Sequence, residues 1–183
     1  MNEKNYLRLI AAMIAEMHQQ ADVDDGVNSK LVASALWNKQ DWAILWEHDW
    51  LLEGEENPPA VSYVVDVLDM WRFIETVYEQ LPQPEKDRLA AEVPYGAGNN
   101  PRFGGFDGNN EGRYMGITRM LVESMGRFDE FKGRDLNTHS PTDRRYGAML
   151  RAWEEAKAKN GSEFYRTSKA DDLISILRAP YRD

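Results

Sequence analysis

Three observations predict an all-α protein of seven to eight helices. Apolar residues recur at three- and four-residue spacing along most of the chain. The breaks between those runs fall at Pro, Gly and Asp/Asn clusters. No stretch shows the strict alternation of a half-buried strand. At 183 residues with 42% hydrophobic side chains, the chain is long enough to close one core, so 1–183 reads as a single domain.

The first helix is expected over residues 4–18, where Leu7, Ile10, Met13 or Ile14, and Met17 share a face, and a polar turn at 22–26 ends it. Ser29 suits the cap of a second helix carrying Leu31, Val32, Ala35 and Leu36. A third is expected over 41–52. There Trp42, Trp46 and Trp50 fall on one side, with Trp37 just before them. Such a stripe serves either as core or as a protein interface, where Trp is enriched. Pro58 and Pro59 then open a long helix over 60–81, marked by Val64, Val67, Leu68, Trp71, Ile74 or Glu75, Tyr78 and Leu81, and Pro82 and Pro84 stop it. A short helix follows over 85–92.

Residues 94–110 carry five glycines and read as a long loop. The next helix spans 111–127, with Tyr114, Ile117 and Leu121 apolar. After a polar loop, Ser140 is placed to cap a helix with Pro141 first, Asp143 third, and Tyr146, Met149, Leu150 and Trp153 on its buried face; Gly161 ends it. A last helix starts at Ser168 and buries Leu173, Ile174 and Leu177.

The net charge is −9, unevenly spread: residues 1–100 hold 18 acidic and 7 basic side chains, whereas the remainder is slightly basic and rich in arginine. The acidic half disfavours nucleic acid and acidic membrane surfaces as partners. With no cysteine there is no disulfide, thiol nucleophile or cysteine-based zinc site, and the composition fits a reducing compartment. The start lacks a signal-peptide core and no apolar run reaches membrane-spanning length, so cytoplasmic residence is expected.

The chemical motifs mostly fail. Gly96-Ala97-Gly98 lacks the third glycine and the preceding strand of a dinucleotide loop. Asp107, Asn109, Glu111 and Gly112 imitate the start of a calcium loop, but Thr118 stands where a bidentate Glu is needed. His18, His48 and His139 are scattered, so no metal site and no cofactor is implied. One constellation remains as a candidate ligand site: Asp107, Glu111, Arg113, Arg119, Arg127 and His139, the last beside a helix start that favours anions. The same residues could instead form a structural ion-pair network.

The segment Phe103-Gly104-Gly105-Phe106-Asp107, followed by Glu111-Gly112-Arg113-Tyr114-Met115-Gly116, resembles the signature of the YfbU family of bacterial proteins. Gly126-Arg127-Phe128, Ser140-Pro141, Tyr146, Met149-Leu150 and Trp153 are similar to later steps of the same pattern. Gly104 departs from it, as do a shortened loop before His139 and a glycine-rich insert over 94–101. The resemblance implies an all-helical fold, cytoplasmic residence and self-association, and brings no catalytic residue with it. The expected role is a non-enzymatic interaction or regulatory protein that forms a homo-oligomer, with Trp42, Trp46 and Trp50 as candidate interface. The alternative is an enzyme or sensor for a small anionic ligand bound around Asp107, Glu111 and Arg113.

Overall fold

A computed structural model describes residues 3–23, 26–50, 56–167 and 169–181. Nine helices lie among them: α1 (Glu3–Gln20), α2 (Ser29–Asn38), α3 (Trp42–Glu47), α4 (Pro59–Gln80), α5 (Gln83–Glu92), α6 (Gly112–Arg119), α7 (Asp143–Asn160), α8 (Phe164–Thr167) and α9 (Ala170–Arg178). No strand occurs among the described residues, so the all-α expectation holds; the extended contact is a single bridge, Phe106 to Asn137. The expected end of the third helix, at 51–52, and the start of the last one, at Ser168, lie outside the described residues.

The chain divides into two compact units, Met1–Ser62 with Arg113–Lys132, and Tyr63–Gly112 with Gly133–Asp183. In the first, α1 packs on α2. The side chains that α1 buries are small, Ala12 and Ala15, and α2 offers Ala33 and Ala35 along with Leu31. Small residues let two helix backbones approach closely. Arg8 fixes the pair: its guanidinium binds both oxygens of Asp41 and the Leu36 carbonyl at the end of α2. Trp37 adds an indole N–H to Glu16 at 2.8 Å. The large apolar residues of α1 are therefore left exposed, opposite to what their periodicity alone suggests, with Leu9 lining a cavity beside Leu36 and Trp37 of α2.

α6 runs into a π-helical turn, Met120–Ser124, and Gly126, at φ +61°, turns the chain out of it. The expected helix to 127 thus stops short. Ile117, Leu121, Val122 and Phe131 are buried here.

The second unit is built on α4 from Tyr63 onward. Val64, Val67, Leu68, Met70, Trp71, Phe73, Ile74 and Val77 are all buried, covering most of the helix circumference. Two aromatic clusters grow from it. Trp71 meets Tyr146 edge-on at 5.8 Å and Phe103 at 6.2 Å. Phe73 stacks on Phe164 at 4.6 Å and lies 6.3 Å from Trp153. Such pairs add to the burial of their apolar area.

Candidate functional site

The segment 103–111 turns on one glycine. Gly105 sits at φ +93°, and a Cβ there would lie 1.9 Å from the Leu136 carbonyl oxygen, so only glycine fits. The close approach allows Phe106 N–H to donate to Leu136 O at 3.1 Å and Thr138 N–H to donate to Phe106 O at 3.2 Å. Phe103 and Phe106 are buried, and the buried Tyr146 hydroxyl donates to Gly105 O at 3.0 Å. Burial pushes that phenol up to about 12, so it keeps its proton at neutral pH.

Asp107 is buried and turns the chain. Its carboxylate accepts Asn109 N–H at 3.0 Å and the Asn110 side-chain amide. The Asn110 and Asn109 bonds hold its pKa below the usual range, with a smaller contribution from the charge of His139. His139 is exposed, at φ +52°, and its backbone N–H bonds Asn137 Oδ1.

Glu111 does more than precede α6. It accepts four bonds: Asp107 N–H at 2.9 Å, Thr142 N–H at 2.6 Å, Thr142 Oγ1 at 2.8 Å and Asp143 N–H at 2.7 Å. Thr142 and Asp143 open α7, so the carboxylate occupies the anion position at that helix start. Burial alone would raise its pKa; the Asp107, Thr142 and Asp143 donors more than offset this and lower it. The helix start that the sequence marks as anion-favouring is thus filled from within the chain. The expected cap moves accordingly: α7 begins at Asp143 after Thr142, not at Pro141 after Ser140, because Glu111 satisfies the leading N–H groups.

The sequence reading missed a second carboxylate of the same kind. Glu75, on α4, is 6% exposed. It takes a two-bond fork from Arg134 at 2.8 and 2.9 Å, Arg102 at 2.9 Å and the Phe103 N–H at 2.8 Å. Burial acts to raise its pKa, and Arg134, Phe103 and Arg102 bring it down. Its position inside an otherwise apolar helix face was the available signal, since a buried acid needs cations brought to it.

The candidate arginines belong to the first unit and do not share one face. Arg113 and Arg119 are six residues apart on α6, well off the three- or four-residue spacing that aligns side chains. Arg113 lines a cavity of about 230 Å³ with Trp42 and Asp41. Arg119 is exposed, and Arg127 lies beyond the π turn, 3.6 Å from Glu47. Of the candidate interface residues, Trp42 is buried and meets Trp46 edge-on at 5.9 Å, whereas Trp50 is exposed. Trp46 lines a second small cavity with Leu45, Asp49 and Asn57. Among the described residues, no three His, Asp or Glu side chains gather to hold a metal.

The "UPF0304 protein MJECS11" of the archaeon Methanocaldococcus jannaschii is 28% identical over 123 residues, covering 64% of this chain and 66% of that protein. The match thus spans just under two thirds of the relative's length. A YfbU domain profile matches residues 52–179, which include the Phe103–Tyr114 segment, Glu75 and the α7 start. With most of its length matched by that profile, the chain belongs to the YfbU domain family.

Proposed function

We propose that this is a cytoplasmic, non-enzymatic interaction protein that assembles with a second copy of itself through α1. The observation that carries the reading is the outer face of that helix. Tyr6, Leu7, Leu9, Ile10, Met13, Ile14 and Met17 are between 40% and 66% exposed, and Trp37 of α2 stands beside them at 57%. Together they present a broad exposed apolar face of the kind that a partner covers in a standard interface. Isolated apolar residues on a surface need no explanation; a continuous patch marks an association site.

The pattern favours a helix like itself as occupant. Leu7, Ile10, Ile14 and Met17 repeat at three and four residues, the seam spacing of paired helices. No charge interrupts residues 9–15, while Glu3 and Lys4 flank one end and Glu16 and His18 the other. An antiparallel pair about a two-fold axis sets those mixed-charge ends against each other and opposes the helix dipoles.

The buried acids support the non-enzymatic part. Glu75, Asp107 and Glu111 are all shifted towards the ionised form and bonded by protein donors, whereas a general acid or base works best near neutral pH. The cysteine-free composition supports a reducing compartment, and no helix among the described residues is long and apolar enough to cross a membrane.

Sedimentation velocity tests the reading. The wild-type chain is expected to be dimeric, and Ile10→Glu with Met13→Glu to be a folded monomer, weakened at least about 100-fold in association by placing charge in the seam. A monomeric wild type, or a variant that associates equally well, contradicts it.

A further inference from the structure

The second unit holds a cavity of about 260 Å³ beneath the 96–102 loop, walled by Trp71, Arg102, Arg145, Met149, Leu177 and Tyr181. Its polar groups are unbalanced. Arg102 is already matched by Glu75 and Glu79, at 2.9 and 3.2 Å. Arg145 has no carboxylate partner among the described residues; its guanidinium lies 5.2 Å from the centre of the Tyr146 ring. Two buried donors on residues that line the cavity lack acceptors, the Arg145 Nε–H and the indole N–H of Trp71, whose residue is 4% exposed. Buried donors left without acceptors are rare in native proteins, and each is costly until something accepts from it.

We propose that this cavity binds a small organic carboxylate with a compact apolar body. The carboxylate takes the Arg145 guanidinium, whose planar fork matches a carboxylate with two parallel bonds. The apolar body rests on Met149 and Leu177, with the half-exposed Tyr181 ring at the rim. The volume sits at the small end of ligand cavities, which suits a single ring or a short branched acid rather than a nucleotide. This site is separate from the Asp107–Glu111 turn, whose donors and acceptors are consumed internally, and it does not depend on α1.

The test uses the full chain with benzoate as probe, followed by amide and side-chain N–H NMR spectra. Benzoate is expected to shift the Trp71 indole and Arg145 Nε–H signals saturably, with the neutral isostere benzamide at least about 10-fold weaker. Arg145→Gln, with an unchanged amide spectrum elsewhere, is expected to weaken benzoate by a similar factor. If Arg145→Gln does not fold, Ala97→Trp, which fills the mouth of the cavity, must abolish the benzoate shifts. Four results overturn the proposal: no saturable shift with benzoate, equal shifts with benzamide, full binding by either variant, or a response to inorganic phosphate in place of benzoate.

Discussion

Glu111 and Glu75 show how single residues hold the second unit together. Each is a buried carboxylate surrounded by donors that arrive from distant parts of the sequence. Removing such an acid strands its partners: Glu75→Gln leaves the Arg134 fork half-buried without its charge and is expected to cost about 3 kcal/mol in chemical denaturation at neutral pH. Acid acts in the same direction. Both carboxyls titrate lower in the fold than in the unfolded chain, so the folded state binds fewer protons in that range. Their stabilisation is complete above the unfolded value of about 4.3 and is lost as pH falls through the folded values. The fall in stability between neutral pH and about pH 3 should be measurably shallower in Glu111→Gln than in wild type. Gly105→Ala is expected to lose at least about 2 kcal/mol, since the new Cβ meets the Leu136 backbone at a positive φ. At this scale the sequence was informative where chemistry is local. The Asp107 turn could be read from its own Asn neighbours. The bonds of Glu111 could not, because Thr142 lies 31 residues away and nothing near Glu111 announces it.

Helix α1 carries the clearest divergence between sequence and structure at the scale of elements. Its period was legible, but its orientation was not. Periodicity marks an apolar face without saying what covers it, and alanines carry little weight in such a pattern. Here Ala12 and Ala15 face inward, and the larger residues are left in water. Enlarging the tight side should therefore be harmful: Ala15→Leu is expected to destabilise the chain by about 1–3 kcal/mol, read as a lower denaturation midpoint. The buried faces of α4 and α7 are the ones their periodicity marks, because they are formed by large residues such as Val64, Trp71, Tyr146 and Trp153. The tryptophan stripe was half right as geometry. The structure ends α3 at Glu47, so Trp42 and Trp46 share a helix and Trp50 falls beyond it.

For the whole molecule, the proposed role rests on what the surface leaves uncovered. Association through the exposed α1 face should couple stability to concentration, since it favours the folded state. The melting temperature of the wild type is expected to rise with protein concentration, and that of Ile10→Glu with Met13→Glu to stay constant. The absence of cysteine permits a direct mapping of the contact. Met13→Cys places one thiol near the middle of the α1 stripe, and Tyr165→Cys places one on α8, where Tyr165 is 63% exposed. Under mild oxidation at equal concentration, Met13→Cys should convert to a covalent dimer while Tyr165→Cys remains largely monomeric. Equal and slow cross-linking of the two thiols would contradict self-association through α1.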